Sequence, residues 1–236
     1  MKTLVHVLVL TSLLVLFSCN GGGSSSSATG TTSGNNTTSY NIGDSVGGGL
    51  YAGNTNGNDL IITPSGCTDS TTPTCNGGND TVNKYWSTAL NTIIGVLDTV
   101  NGYDNTDLII QKAQTDGVQS PAASYCKDLV YGGYSDWYLP SQDEMKEIMD
   151  NNASNNNVLN FRDEQQNNGG VTNYHYYTST ESANDDTRVT AYAYDSSMPD
   201  GMGYLNHVSK RSIVKYSLSN ILGGSNNQLV RCIRKQ

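Results

Sequence analysis

Apolar positions come in short bursts along this chain, and the spacing inside each burst predicts an element. The one long run is Leu4–Phe17, almost unbroken. It is short for a membrane span, which takes about 20 residues. From Tyr40 onward the bursts shorten. Gly49-Leu50-Tyr51-Ala52-Gly53 and Leu60-Ile61-Ile62 are separated by Asn-Gly turn signals and read as a hairpin. Tyr85, Leu90, Ile93, Ile94 and Leu97 predict a helix over Lys84–Leu97. Ser120-Pro121 opens a short helix, with Ser120 as N-cap and Pro121 in the first turn. Its apolar face is Ala122, Cys126, Leu129 and Val130, and Gly132-Gly133 stops it. Another helix begins at Ser141. Ser141-x-x-Glu144 is a capping box, and Met145, Ile148 and Met149 follow at i, i+3, i+4 spacing. Asn151–Asn157 ends it in a polar loop.

The rest of the chain has strand character. Tyr174–Thr180 is rich in Tyr and Thr, Val189–Tyr194 alternates, and Leu229–Ile233 (LVRCI) reads as one final short strand. The order of strands, helices, then strands predicts an α+β domain with antiparallel sheets. No internal repeat and no Gly-X-Y tract is visible.

Composition changes this picture in two places. The chain is 236 residues long, with 14% charged residues, 25 glycines and a net charge of −8. Few charges and many turn-forming residues predict a loop-rich surface, and the acidic balance argues against nucleic acid as a partner. The segment Asn20–Ser39 has no large apolar residue and no charge. It cannot bury enough surface to fold. As a flexible coil it spans about 25 Å, so it reads as a tether.

The N-terminal run then acquires a meaning. Lys2 precedes the apolar stretch, which ends in Leu16-Phe17-Ser18-Cys19. This is the layout of a secretory signal closed by a lipobox, with cleavage before Cys19 and lipid on its thiol. An ordinary signal peptide is the alternative. The expected organisation is a lipoprotein signal peptide over 1–18, a tether over 19–40 and a domain over 41–236. Asn20 after the Cys is not Asp, which by sorting rules points to the outer membrane, with the protein displayed at the cell surface. One acyl chain holds a membrane only marginally, whereas two or more anchor it. Removing residues 1–18 takes away Lys2 and leaves 12 basic against 21 acidic side chains, a net charge of about −9.

Five cysteines are an awkward number for an exported chain. With Cys19 assigned to lipid, four remain. Cys67 and Cys75 bracket a Thr/Pro-rich loop (CTDSTTPTC), so a local bridge is natural, and Cys126 would then pair with Cys232. A zinc site is the alternative, but there is no CxxC pair and no nearby His.

One segment stands out for its aromatic density. GYSDWYLPSQDEM (Gly133–Met145) resembles the G-Y-x-D-W-x-L-P-[ST]-x-x-E-[LM] motif of the Lcl C-terminal domain family, named after the Legionella collagen-like protein. Gly43-Asp44-Ser45 with Gly47–Tyr51 is similar to the family's opening strand. Tyr176–Glu181 (YYTSTE) is similar to its Y-W-S-S-T-E segment, with Tyr177 in place of Trp, and Leu229–Arg234 (LVRCIR) to its terminal V-R-C-V-R. The resemblance covers about residues 41–236. It implies a C-type-lectin-like fold, with two short helices on small antiparallel sheets. Such folds tie the first helix to the last strand by a disulfide, and Cys126 and Cys232 occupy those two places. Under this resemblance Tyr134, Trp137 and Leu139 form the core joint between helices and sheet, while Pro140 and Ser141 set the next helix. A surface Trp137 that stacks on sugar is the rival reading.

Little in the chain points to catalysis. There is no G-x-S-x-G, HExxH or P-loop, and neither His175 nor His207 falls in a motif with a nucleophile. Enzymes on the wider lectin-like fold need reactive cysteines, and here bridges account for all four. No cofactor is expected. For calcium, the Glu-Pro-Asn, Gln-Pro-Asp and Trp-Asn-Asp signatures of sugar-binding C-type lectins are absent. Glu181, Asp185 and Asp186 could offer hard oxygens, and Met198-Pro199-Asp200-Gly201 is a turn signal.

Lys210, Arg211 and Lys215 (within SKRSIVKY), with Arg231, Arg234 and Lys235, form the basic features. If they converge, they suit an anionic polymer. The family's namesake is an adhesin for sulfated glycosaminoglycans. The resemblance therefore implies recognition of a glycan or another extracellular polymer through Asn151–Gln228, with Lys210, Arg211 and Lys215 as candidate binding residues. Without a collagen-like stalk the oligomeric state stays open. A structural or protein-interaction module of the cell envelope is the alternative function, and an enzyme the third.

Overall fold

Asn56 and Gly57 have backbone φ of 51° and 81° in the computed structural model of the protein. A two-residue type I′ hairpin turn needs positive φ at both central positions, so the chain reverses here as its pattern predicts. The residues described are 39–88, 94–163, 166–167, 170–171, 174–183, 188–195, 207–214 and 227–236. Before and after this turn run β1 (Ser45–Val46), β2 (Gly49–Thr55) and β3 (Asn58–Ile62). Three helices follow: α1 (Gly102–Asp116), α2 (Pro121–Lys127) and α3 (Gln142–Ser154). Then come β4 (Gln166–Asn167), β5 (Gly170–Val171), β6 (Tyr174–Glu181) and β7 (Arg188–Asp195). The last strands are β8 (His207–Val214), β9 (Asn227–Leu229) and β10 (Ile233–Lys235).

One sheet has the order β1-β2-β3-β10, a second β8-β7-β6-β9, and β4 with β5 makes a separate ribbon. The domain is α+β, as its pattern predicts. Two details differ. There are three helices among the described residues instead of two. The sheets are also not wholly antiparallel, because β9 lies parallel to β6 with His175 opposite Gln228. Two strands separate β6 from β9 along the chain, so no hairpin fixes their direction.

The helix expected over Lys84–Leu97 is corrected: residues 84–88 and 94–97 are not helical. Their polar groups are engaged by distant partners. Trp86 is fully buried and its Nε1 donates to the Thr178 carbonyl at 2.9 Å. The Thr88 N–H donates to the Gln119 carbonyl at 2.9 Å. The helix lies further on, as α1. Asn101 caps it by accepting the Asp104 N–H, and Gly117 closes it at φ 67°.

The helix at Pro121 is present but ends at Lys127, short of the glycines. Asp128 closes it in a right-handed conformation, and Val130 is 49% exposed, not part of the apolar face. The Val130 N–H donates to the Thr71 carbonyl, which draws the chain out of helical register. At the start of α3 the capping box forms as expected. Ser141 Oγ accepts the Glu144 N–H, and Glu144 Oε2 accepts the Ser141 N–H at 2.7 Å. Glu144 is fully buried and also takes bonds from the Gly102 N–H, the Tyr138 hydroxyl and Lys235 Nζ. One carboxylate thus joins α1, α3 and β10.

Trp137-Tyr138-Leu139 is extended, so successive side chains point to opposite sides. Trp137 and Leu139 enter one core with Trp86, Ile109, Leu129 and the Cys126 and Cys232 pair. Tyr138 enters the other, with Met145, Ile148, Met149, Phe161 and Tyr176. Pro140 is buried beside them. Tyr134 is not part of this joint. It is 38% exposed, because it follows the turn at Gly132 and Gly133 and lies over the surface.

The final segment is also corrected. Leu229–Ile233 is not one strand, since β9 stops at Leu229 and β10 begins at Ile233. Between them the chain crosses from the second sheet to the first. Cys232 is bridged to Cys126 in α2, with Cα atoms 5.4 Å apart, and Cys67 is bridged to Cys75. Both bridges match the cysteine arithmetic. Arg231 turns inward and is 2% exposed. Its Nη1 donates to the Leu159 carbonyl at 2.7 Å, its Nη2 to the Thr63 carbonyl, and Nη1 lies 3.9 Å from Asp80. The guanidinium sits 4.5 Å from the centre of the Phe161 ring. Asp80 also accepts the Tyr176 hydroxyl at 2.6 Å. Complete burial, and then the Asp80 carboxylate beside it, push the Tyr176 phenol well above its ordinary range.

Candidate ligand-binding surface

Two glycine turns meet at the open end of the first sheet. Gly47 and Gly48, with φ of 54° and 78°, join β1 to β2, and Gly132 and Gly133, with φ of 61° and 86°, join Tyr131 to Tyr134. Their backbones touch. A Cβ added to Gly48 would lie 2.7 Å from the Gly132 carbonyl oxygen, and one added to Gly132 would lie 2.2 Å from that of Gly48. Contact this close leaves no room for a side chain at either position. The two glycine-bearing motifs of the sequence are therefore one structural unit.

Arg234 of β10 ties the unit together. Its Nε and Nη2 donate to the two Asp136 oxygens at 2.8 and 3.0 Å, and Nη1 donates to the Gly47 carbonyl at 3.2 Å. The guanidinium stacks 3.8 Å from the Tyr134 ring centre. The hydrogen bonds from Arg234 hold the Asp136 carboxyl below its ordinary range. Arg234 is nearly covered, whereas the Asp136 side chain is 48% exposed. A groove of about 270 Å³ opens beside them, lined by Val46, Leu50, Pro64, Tyr131 and the glycine backbone. It offers an apolar wall, backbone polar groups and part of an aromatic ring. Such a set can bond hydroxyl groups and contact the apolar face of a ring.

The basic residues do not converge as a set. Arg231 is in the core, Arg234 is paired with Asp136, and Lys235 is paired with Glu144 at 2.8 Å. Burial and ion pairing remove all three from any anion-binding patch. Lys210 and Arg211 lie on β8, an outer strand of the second sheet, opposite Tyr192 and Ala191. Lys215 lies outside the described residues, as do Cys19, Asp185, Asp186 and Met198–Gly201.

Glu181 is not placed to offer a cation its oxygens. It is 4% exposed and accepts the N–H groups of Ile94, Gly95 and Val96 at 3.1, 2.6 and 3.0 Å. Three backbone donors on one carboxylate make an anion nest filled from within the chain. Among the described residues no group of three or more His, Cys, Asp or Glu side chains could hold a metal ion. His175 is buried on β6, and His207 lies on β8 opposite Asp195.

Sequence reasoning missed Tyr131 as a groove residue and Asp136 as the partner of Arg234. Asp136 had a signal, since it stands in the aromatic motif, but its partner Arg234 is 98 residues away. The family model described as Lcl C-terminal domain matches residues 66–234. No curated protein and no solved structure matches the chain.

Proposed function

Because this chain belongs to the Lcl C-terminal domain family, we propose that it is a surface-anchored lipoprotein whose domain binds a glycan or another extracellular polymer. The family is of lectin-like, adhesion type and not enzymatic. The match over residues 66–234 is the observation that carries this reading. It takes in three of the four motif segments. The fourth, Gly43–Tyr51, lies ahead of the match but contributes to the sheet that β10 completes. The groove beside Tyr134 and Asp136, and the outer strand that carries Lys210 and Arg211, support binding of a hydroxylated polymer with some anionic content.

Binding of the chain to neutral and sulfated glycans at two salt concentrations tests this. The contact is expected to be weak, in the millimolar to micromolar range, or about 4 to 8 kcal/mol. Many copies on one cell then supply avidity. Lys210→Ala/Arg211→Ala/Lys215→Ala should lose only the sulfated, salt-sensitive component. Equal binding by the triple variant would remove the basic residues from the account. Absence of binding to every glycan would move the function to a protein-interaction module. One feature favours that second reading: Leu97 and Val100 ahead of α1, and Tyr103 and Leu108 in its first half, are 41–54% exposed.

The anchor assigned to Cys19 places the protein at the outer membrane. Replacing Cys19 with Ser should move most of the protein from the membrane fraction to the soluble one. Retention at the wild-type level would reject the lipobox.

A further inference from the structure

Arg231 stands at the crossing between β9 and β10 and is almost wholly buried. Its guanidinium carries N–H donors on all three nitrogens. Two of the nitrogens are engaged: Nη1 donates to the Leu159 carbonyl and Nη2 to the Thr63 carbonyl. Nε is the exception. Among the described residues it is the one buried side-chain nitrogen or oxygen with no hydrogen-bond partner. A buried donor left unmade costs its full desolvation, and native interiors hold few of them.

The surroundings restrict what can answer this donor. The Nε N–H and one Nη2 N–H lie along the same edge of the guanidinium plane. Arg234 shows the usual use of that edge, with both nitrogens on the Asp136 carboxylate. On Arg231 the Thr63 carbonyl takes Nη2 alone. A group that accepts from Nε therefore sits beside a carbonyl oxygen. An acceptor without hydrogens would be repelled there, whereas an O–H can donate to the carbonyl's second lone pair. No further negative charge is called for. Asp80 lies 3.9 Å from Nη1, beyond hydrogen-bond reach but close enough to balance the guanidinium. An added anion would face that carboxylate in a poorly solvating interior. Thr63, Leu159 and Phe161 around the guanidinium are all buried, so a polymer chain does not reach Nε.

We infer that Arg231 Nε holds one internal water molecule, which accepts from Nε and donates to the Thr63 carbonyl. Water is at once neutral, an acceptor, a donor and small enough for such an interior. It joins the residue after β3 to the crossing that completes both sheets. The site is distinct from the surface groove and does not depend on the glycan reading.

A crystal structure of the full chain in detergent, grown with bromide as the sole halide, tests this. The map should show an oxygen about 2.7–3.2 Å from Nε, with no anomalous signal at the bromine edge. In solution, with isotope-labelled arginine, the Arg231 Nε proton should give a cross-peak to water, of the sign that marks a residence longer than molecular tumbling. A bromide peak at Nε would make the site an anion site and overturn the assignment. A protein acceptor bonded to Nε, no density within hydrogen-bond reach of it, or no water cross-peak would overturn it as well.

Discussion

Replacing Cys126 and Cys232 with alanine is expected to lower stability by about 4.7 kcal/mol. The bridge closes a span of 106 residues, and the chain-entropy model credits a loop of that size with about this amount. The same model gives about 2.5 kcal/mol for the Cys67–Cys75 bridge, whose separation is 8. The two sites also differ in surroundings. Cys126 and Cys232 are fully buried against Leu129, Trp137 and Val230, so truncation removes packing as well as the covalent link. In urea the long-bridge variant should unfold about 2 M earlier than wild type. The short-bridge variant should shift by about half as much. Equal shifts for the two variants, or free thiols in a non-reducing peptide map, would contradict this account.

Replacing Arg231 with methionine is expected to cost about 3–5 kcal/mol, the usual effect of removing one partner from a buried ion pair. Methionine keeps much of the volume over Phe161, so lost packing is a minor part. The main effect falls on the groups left behind. The Thr63 and Leu159 carbonyls lose their donor, and the Asp80 carboxyl loses the guanidinium beside it while keeping bonds from the Tyr176 hydroxyl and the Gly66 N–H. Arg231→Met/Asp80→Asn should recover part of the loss, because it removes the stranded charge as well. Thermal or urea unfolding of the single and double variants measures this. If the double variant is less stable than Arg231→Met, the coupling is absent.

What could be read from the sequence was what neighbouring residues decide. The capping box at Ser141 and the Asn56-Gly57 turn involve residues at most three apart, and both are present. The cysteine pairing was legible because removing Cys19 left few choices. What failed depended on distant partners. Helix α1 shows little apolar stripe because its inner face is partly polar. Asn105 reaches the Asp98 carbonyl and Ser179, and Thr106 bonds to Gly102 and Leu139. The stretch Lys84–Leu97 has helical spacing, but in its described residues Trp86 and the Ile94 N–H are bonded to β6 and the Thr88 N–H to Gln119. Arg231 and Arg234 were grouped with the surface lysines because charge alone does not reveal a partner 72 or 98 residues away. The aromatic motif was half legible: Trp137 and Leu139 face the core, while Tyr134 lies at the surface against Arg234.

The crossing at Leu229–Arg234 bears on the order in which the protein can be made. Residues 227–236 supply the last strand of each sheet, one half of the long bridge and the buried guanidinium. A chain that emerges from the ribosome, or from an export channel, with its N-terminus first has neither sheet complete until these residues arrive. Until then β3 and β6 each lack a neighbour and Cys126 has no partner. Neither four-stranded sheet can therefore close before residues 227–236 join it. The oxidation that fixes Cys126 to Cys232 can occur only once β10 is in place.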